Sequence, residues 1–181
     1  THEWPLRATT LQHRNDGSER LGTGGALLAA LPLLHAPFMV LNGDSFVPGL
    51  AYRDVRYAFL SAVHDDNMAG LMVVYPYVPA SEGGRECPNV RFENGQVRDY
   101  VKGSGSIVGV KHVDAGVFVT SPDKLSQYSE GAEPPFDLGL IYRNMIRAGV
   151  LAGYEVQTVP YEVGSPEGLE RYRQAVREGV V

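Results

Sequence analysis

Phe38-Met39-Val40-Leu41-Asn42-Gly43-Asp44-Ser45 is the stretch of sequence that decides the fold. Its apolar half ends abruptly at Asn42, and an uninterrupted apolar run of this kind is typical of a strand buried on both faces of a parallel sheet. We therefore predict that Phe38–Leu41 is an interior strand of a mainly parallel central sheet. Ligands of such sheets lie just outside the carboxyl ends of the strands, which makes the residues after Leu41 candidates for a binding site.

The tripeptide Asn42-Gly43-Asp44 has two interpretations, one functional and one local. Gly43 allows a tight bend and a close approach of the backbone to a ligand. The carboxylate of Asp44 is then well placed to hold a hard cation against phosphate oxygens. Alternatively, the tripeptide is only a turn, because Asn, Gly and Asp dominate turns for local backbone reasons. Taken alone, it favours the turn, and the neighbouring motifs are needed to decide.

Composition places the chain among globular proteins and argues against several classes of partner. It has 181 residues, enough for one domain with a core, of which 44% are hydrophobic and 20% charged. The net charge of −5 and the lack of a basic block disfavour nucleic acid as a partner. Cys87 is the only cysteine, which excludes an internal disulfide and suits a reducing cytoplasm. The longest apolar stretch, residues 26–34, is too short to span a bilayer, so no membrane partner is expected.

The segments after the central strand alternate between helical and extended patterns. Tyr52–His64 has apolar residues near helical spacing, and Ala69–Tyr75 has the pattern of a second buried strand. We expect this strand–helix–strand order to give a parallel pair with a right-handed crossover. Asn94-Gly95, between two short apolar segments, predicts a small β-hairpin. The predicted fold is α/β, a Rossmann-like three-layer sandwich with a hairpin excursion, in a single domain over residues 1–181.

Local signals predict the remaining elements. They are a short strand at Leu6–Leu11, a short helix after Ser121-Pro122, a helix over Asp137–Ala148, one or two short strands within Leu151–Val159, and a last helix over Pro166–Arg177 with Ser165 as its cap.

Leu21-Gly22-Thr23-Gly24-Gly25-Ala26 is a glycine-rich turn that leads into an apolar helical segment. A helix N-terminus of this kind presents free N–H groups and the positive end of the helix dipole, and so can bind an anion or lie against a base and ribose. The segment lacks the Lys-Ser/Thr of a Walker loop and the glycine spacing of the dinucleotide fingerprint. Taken alone, it is better interpreted as a packed turn.

Four segments occur in an order that resembles a known family, the sugar-1-phosphate nucleotidyltransferases. They are Leu21-Gly22-Thr23-Gly24-Gly25-Ala26, Leu41-Asn42-Gly43-Asp44-Ser45, Val113-Asp114-Ala115-Gly116-Val117 and Glu162-Val163-Gly164-Ser165-Pro166-Glu167. Within the family, the segments resemble the members that transfer a guanylyl group to mannose 1-phosphate or D-glycero-D-manno-heptose 1-phosphate. Each segment is weak evidence by itself, but four of them in this order over most of the chain are fairly specific.

The resemblance implies a set of substrate-binding residues. Those of the glycine-rich turn would lie near the nucleobase and ribose, and those of the third segment would touch the sugar hydroxyls. The set is Gly22, Thr23, Gly24, Gly25, Asn42, Gly43, Asp114 and Gly116. The chemistry of Asp114 itself leaves two interpretations open, because its carboxylate can accept hydrogen bonds from sugar hydroxyls or from backbone N–H groups of its own turn.

The resemblance also implies the catalytic residues and the cofactor. Asp44 would ligate the catalytic Mg²⁺, and Glu162 occupies the place of the second metal carboxylate, which is more often Asp in the wider family. Lys102 resembles the lysine that meets the sugar phosphate. Without the family pattern, the neutral interpretation of Asp44 and Glu162 is two solvated loop carboxylates, and that of Lys102 is a solvated surface residue.

Two features depart from the family pattern. The family carries a glycine-rich loop with Arg, and soon after it a Lys, that holds the nucleoside triphosphate, and nothing of the kind precedes Leu21. We therefore expect residues 1–181 to be the C-terminal portion of a nucleotidyltransferase domain, without its N-terminal nucleotide-binding part, and to make no nucleotide-sugar alone. The Glu that precedes the sugar-site Lys in the family is Val101 here, so one sugar contact of the family is not expected at that position.

Two functions from different classes follow. The first is transfer of a nucleotidyl group from a nucleoside triphosphate to a sugar 1-phosphate, giving a nucleotide-sugar and pyrophosphate. The alternative is a non-catalytic regulatory or assembly module of the same fold. An in-frame glycine-rich loop with Arg and Lys directly upstream would favour the enzyme, and a start codon close to Thr1 would favour the module. The sequence does not identify the nucleobase, the sugar or the oligomeric state. A homo-oligomer is among the states that it allows.

Overall fold

A computed structural model of the chain describes residues 12–35, 37–79, 87–102 and 109–181. The helices in these ranges are α1 (Gly22–Ala29), α2 (Tyr52–Asp66), α3 (Pro122–Tyr128), α4 (Leu138–Arg147) and α5 (Pro166–Arg177). The strands are β1 (Phe38–Leu41), β2 (Ser45–Phe46), β3 (Gly70–Pro76), β4 (Val90–Glu93), β5 (Gln96–Tyr100), β6 (His112–Thr120), β7 (Leu151–Glu155) and β8 (Tyr161–Glu162).

Six of these strands form one mixed sheet in the order β1-β6-β3-β7-β5-β4. β6 pairs antiparallel with both β1 and β3, whereas β3 pairs parallel with β7. β4 also pairs with β6 through Val90 and His112, so part of the sheet closes on itself like a barrel. β2 and β8 form a separate two-stranded ladder. The fold is therefore α/β around a central sheet, as predicted, but the sheet is mixed and not mainly parallel.

The interior position predicted for Phe38–Leu41 is wrong for the described part of the chain. β1 lies at the edge of the sheet, and Leu41 is 52% exposed. β1 and β3 run in the same direction, because both are antiparallel to β6, but the predicted parallel pair does not form, since β6 lies between them. Both errors have one cause. An apolar run indicates how much surface a strand can bury, but the pairing of β6 with β1 is a long-range event that leaves no local signal.

The hairpin formed by β4 and β5 confirms the prediction from Asn94-Gly95. Asn94 has a φ of 52° and Gly95 a φ of 76°, so both central residues adopt the left-handed conformation that a two-residue hairpin turn requires. The hairpin completes the curled part of the sheet, because β5 pairs with β7 and β4 with β6.

Apolar clusters cover both faces of the sheet. α2 places Val55 and Phe59 against one face, and α4 places Ile141 and Met145 against the other. β3 contributes alternate residues to the two clusters, as the two-residue period of a strand requires. Leu71 and Val73 belong to the first cluster, and Met72 and Val74 to the second. All of these side chains except Leu71 and Phe59, at 2%, have no exposed surface.

Most other elements follow their local signals. α5 spans the predicted Pro166–Arg177, and the hydroxyl oxygen of Ser165 accepts the Gly168 N–H at 3.1 Å as its cap. α2 continues two residues beyond the predicted His64. The strand predicted at Leu6–Leu11 lies outside the described residues. Among the helices of the described ranges, none combines the length and the apolar character needed to cross a membrane.

Candidate functional site

The candidate functional residues lie along one edge of the sheet. This edge is formed by the ends of the strands and not by the edge strand β1. The C-terminal end of β1 reaches this edge beside the middle of β6, because Leu41 pairs with Val117. The C-terminal end of β5 reaches it through β4, because Tyr100 pairs with Val90 and Val90 pairs with His112. The predicted residues that these strand ends carry are Asn42, Gly43, Asp44, Lys102, Asp114 and Gly116.

A turn follows β1 directly. The Ser45 N–H donates to the Asn42 carbonyl at 3.2 Å, and the Asn42 N–H donates to the Gly116 carbonyl at 2.8 Å. Gly43 does not adopt a left-handed φ, so the bend itself does not require glycine. A Cβ at Gly43 would meet no heavy atom within 4 Å, so the outer side of the turn is open. The local interpretation of the tripeptide is thus present in the structure, and the turn leaves space for a ligand beside Asp44.

The β2–β8 ladder brings the side chains of Asp44 and Glu162 to the same part of the structure. β2 and β8 pair Ser45 with Glu162, and the Val163 N–H donates to the backbone carbonyl of Asp44 at 2.8 Å. A Cβ added to Gly164 would lie 2.5 Å from Glu162 Oε1 and 3.1 Å from Asp44 Oδ2. The two carboxylates therefore face the same small volume, although they are far apart in the sequence.

Glu162 is fixed by the start of α5. Its Oε1 accepts the Gly164 N–H at 2.5 Å, and its Oε2 accepts the Ser165 hydroxyl at 3.1 Å. Ser165 in turn is held by the Gly168 N–H that it accepts as the helix cap. An ionised carboxylate has about four lone-pair positions, so these bonds leave acceptor capacity for a cation.

Two carboxylates that face one small volume are the kind of ligand set that could hold a hard cation such as Mg²⁺. In proteins Mg²⁺ takes one or two carboxylates and completes its shell with water and phosphate oxygens. Within the part of the chain that the structure describes, no group of three or more His, Cys, Asp or Glu side chains is placed to hold a metal ion. A cation held by Asp44 and Glu162 would therefore depend on oxygens that a phosphate substrate supplies.

The glycine-rich turn packs against the residues that precede α4. The Gly24 and Gly25 N–H groups both donate to the Phe136 carbonyl, at 3.1 and 3.2 Å, and the Phe136 N–H donates to the Leu21 carbonyl at 3.0 Å. A Cβ at Gly22 would overlap the Phe136 carbonyl, and one at Gly24 would overlap its ring. The N–H groups expected to be free at Gly24 and Gly25 are thus satisfied within the protein. The packed-turn interpretation accounts for these glycines.

Asp114 and Gly116 connect β6 to the turn after β1. Asp114 Oδ1 accepts the Gly116 N–H at 2.8 Å, so the local hydrogen bond considered for this carboxylate is present. Gly116 has a φ of 77°, and a Cβ there would lie 3.0 Å from both Asn42 Nδ2 and Ser45 Oγ. Glycine at this position therefore allows β6 to approach the turn closely. The side chain of Asp114 is half-buried and keeps some contact with solvent at this edge.

A buried tyrosine lies behind Asp114. The ring of Tyr142, in α4, contacts the rings of Tyr100 and Phe118 at centroid distances of 5.2 and 5.0 Å. Burial, and after it the negative charge of Asp114, raises the pKa of the Tyr142 phenol well above 10.0. The phenol therefore stays neutral, and this face of α4 forms an apolar wall behind the site.

Two residues of this edge have no functional signal in the sequence. The carboxylate of Asp137 lies 3.6 Å from the ammonium of Lys102, whereas the sequence predicts Asp137 only as the start of a helix. Asn89 is buried, and its Oδ1 accepts the Asp114 N–H while its carbonyl accepts the Val101 N–H, both at 3.0 Å. Asn89 thereby fixes the end of β5 relative to Asp114, but an Asn beside a proline is equally typical of a turn.

The fold is shared with solved structures of nucleotidyltransferases. A Bacillus anthracis protein described as a glucose-1-phosphate thymidylyltransferase, in complex with sucrose, has a TM-score of 0.71 at 14% identity, covering 88% of this chain and 63% of its own. UDP-glucose pyrophosphorylase complexed with UDP-glucose gives 0.67 at 17% identity, covering 90% and 64%. HddC from Yersinia pseudotuberculosis complexed with GMP-PN gives 0.64 at 18% identity, covering 88% and 64%.

These similarities concern the fold alone, at identities of 14–18%. The chain spans 63–64% of the length of these structures, a little under two thirds. No protein-family model matches the chain, and no curated protein matches it.

Proposed function

We propose that the chain carries the metal-binding and sugar-phosphate part of a sugar-1-phosphate nucleotidyltransferase site. The observation that carries this proposal is that the Asp44 and Glu162 side chains face one small volume, beside the turn whose Asn42 N–H donates to Gly116 of β6. The fold shared with nucleotidyltransferases supports the same class of reaction. Within that class, the four sequence motifs favour guanylyl transfer to mannose 1-phosphate or heptose 1-phosphate.

The reaction joins an oxygen of the sugar phosphate to the α-phosphorus of a nucleoside triphosphate as the bond to pyrophosphate breaks. Little covalent work falls to the protein, so its residues act by positioning the reactants and by neutralising charge. Asp44 and Glu162 would hold Mg²⁺, which offsets negative charge on the phosphates. The open side of the turn at Gly43 gives a nucleotide phosphate access to this pair.

The sugar side of the site would use Lys102 and Asp114. The Lys102 side chain is 58% exposed, so its ammonium is available to the phosphate of the sugar. Asp114 uses one oxygen for the Gly116 N–H, and its carboxylate has further acceptor capacity for sugar hydroxyls. Because the Gly24 and Gly25 N–H groups are already bonded, contact with the nucleobase would use the surface of this turn and not those groups.

A non-catalytic module of the same fold is the second candidate. It is favoured by one observation, the satisfaction of the Gly24 and Gly25 N–H groups by Phe136, which leaves less of the turn for a nucleotide. Such a module needs neither a cation at Asp44 and Glu162 nor a phosphate at Lys102.

Binding of sugar 1-phosphates to the purified chain separates these two functions. Mannose 1-phosphate and glucose 1-phosphate are titrated by calorimetry with and without Mg²⁺, into the wild type and into Asp44→Asn and Lys102→Met. Lys124→Met, which removes a lysine from α3, serves as the matched control for the loss of one positive charge.

We expect saturable binding that Mg²⁺ strengthens in the wild type and in Lys124→Met. Lys102→Met should weaken binding with or without the cation, because it removes a charge-assisted bond to the phosphate. Asp44→Asn should abolish only the effect of Mg²⁺. Absence of binding, or equal binding by all four proteins, would reject the enzyme in favour of the module.

A further inference from the structure

Asp137 occupies the N-cap position of α4 without acting as a cap. An Asp at this position normally accepts a hydrogen bond from an N–H group in the first helical turn, and Asp137 makes no such bond. The Leu138 N–H, which opens the helix, donates to the hydroxyl oxygen of Thr23 at 3.0 Å. The carboxylate of Asp137 is therefore not needed to cap the helix, and its Oδ2 lies 3.6 Å from Lys102 Nζ.

Gly139 provides the space for this arrangement. A Cβ at Gly139 would lie 2.7 Å from Asp137 Oδ1, 3.0 Å from Tyr100 Cε1 and 3.2 Å from Arg143 Nη1. Asp137 Oδ1 is buried there, without a hydrogen-bond partner among the described residues, whereas the side chain as a whole keeps 35% of its surface exposed. Packing therefore holds one oxygen of the carboxylate, and the other lies beside Lys102.

We propose that Lys102 and Asp137 form a subsite that recognises a sugar 1-phosphate. Lys102 binds the phosphate, and Asp137 accepts a hydrogen bond from the neighbouring C2 hydroxyl. Asp137 Oδ2 lies 3.6 Å from Lys102 Nζ, so a phosphate bound by Lys102 brings the hydroxyl on the next ring carbon within reach of this carboxylate. Val101, the residue before Lys102, has no side-chain acceptor to offer. The inference rests on the proposed function, because it takes the ligand to be a sugar 1-phosphate.

The chemistry of the pair explains why the hydroxyl matters. An ammonium has three donors, so Lys102 can bind a phosphate and keep its contact with Asp137. A phosphate beside the Asp137 carboxylate brings two negative charges together, and a hydroxyl donated to the carboxylate offsets this repulsion. A ligand without that hydroxyl leaves the repulsion between phosphate and carboxylate without this compensation, and a site built around a hydrogen bond discriminates against such a ligand.

The test combines a change in the protein with a change in the ligand. Mannose 1-phosphate and 2-deoxyglucose 1-phosphate differ only at C2, and their dissociation constants are measured by calorimetry for the whole 181-residue chain. The variants are Asp137→Ala, which removes the acceptor, and Asp137→Asn, which keeps a neutral one. Asp66→Asn, at the end of α2, is the control for the loss of an exposed carboxylate. Circular dichroism and thermal unfolding check that every variant is folded.

We expect the wild type and Asp66→Asn to bind mannose 1-phosphate about tenfold more tightly than the deoxy ligand. Asp137→Ala should bind the two ligands equally, and Asp137→Asn should show an intermediate preference. Asp137→Ala should also bind inorganic phosphate at least as tightly as the wild type, because a negative charge beside Lys102 has been removed.

The results separate this inference from the proposed function. If the wild type binds both sugar phosphates but shows no preference, or if Asp137→Ala keeps the preference, the subsite is rejected and the proposed function stands. If the wild type binds neither sugar phosphate, both are rejected.

Discussion

Comparison of Gly22 with Gly49 measures how much the close packing of the Phe136 backbone against Gly22 contributes to the stability of the fold. Their φ angles are 73° and 70°, so alanine at either position meets the same left-handed strain, about 1–2 kcal/mol. A Cβ at Gly49 would meet nothing within 4 Å, whereas one at Gly22 would overlap the Phe136 carbonyl.

We expect Gly22→Ala to lower the free energy of unfolding by at least about 1 kcal/mol more than Gly49→Ala, because overpacking adds to the shared strain. Denaturant unfolding of the two variants measures the difference. Equal losses would contradict the packing of the glycine-rich turn against Phe136.

Tyr142 makes stability depend on pH in the alkaline range. Its pKa is higher in the folded state than the ordinary 10.0, because of burial and of the charge on Asp114, so the folded chain keeps a proton that the unfolded chain loses. The stability linked to this proton is intact below pH 10.0 and is lost as the pH rises toward the folded-state pKa. The slope approaches about 1.4 kcal/mol per pH unit.

Urea unfolding at a series of pH values above the ordinary tyrosine pKa tests this dependence. Tyr142→Phe should remove part of the alkaline loss of stability, whereas Tyr57→Phe, at a position that is 58% exposed, should not. The same alkaline loss in wild type and Tyr142→Phe would contradict the burial of this phenol.

At the scale of elements, β1 is the strand whose surroundings the sequence predicts least well. The Asn42 N–H donates to β6, so in the antiparallel register the Val40 N–H also points to β6, and the N–H groups of Met39 and Leu41 point away. We expect Val40 to be protected in hydrogen exchange and Met39 and Leu41 to exchange much faster. Protection of all three amides would show that a further strand or segment covers the outer side of β1.

Elements with strong local signals are predictable from the sequence, and their partners are not. Ser165-Pro166 places the start of α5, and Asn94-Gly95 places the hairpin, because each signal acts on the backbone within a few residues. β1 is located correctly, but its edge position depends on β6, which is distant in the sequence. Tertiary contacts of this kind override what an apolar run suggests about burial.

The residues of the candidate site also fall into two groups, those that the sequence predicts and those that only the folded chain reveals. Asp44 and Glu162 can be singled out only through the family resemblance, and the β2–β8 ladder then brings them close together in the fold. Asp137 and Asn89 cannot, because a carboxylate before a helix and an Asn beside a proline are ordinary local features. Their importance comes from Lys102 and Asp114, which only the folded chain places next to them.

At the scale of the whole molecule, we expect residues 1–181 to bind a sugar 1-phosphate but to release no pyrophosphate. The sequence has no glycine-rich loop with Arg and Lys ahead of Leu21 to hold a triphosphate. Even a single lost group that stabilises a transition-state charge costs about a hundredfold in turnover. The assay is pyrophosphate release with Mg²⁺, a panel of nucleoside triphosphates and mannose or heptose 1-phosphate. Steady turnover would contradict this expectation.

The central claim, that Asp44 and Glu162 share one divalent cation, is tested most directly by nuclear magnetic resonance with Mn²⁺. Mn²⁺ takes oxygen ligands like those of Mg²⁺ and broadens the signals of nuclei near it. With mannose 1-phosphate present, low Mn²⁺ should first broaden the amide signals of Ser45, Val163 and Gly164. Asp44→Asn and Glu162→Gln should each abolish this effect, and Asp66→Asn should not. Broadening centred elsewhere, or unchanged in the two site variants, would contradict the account.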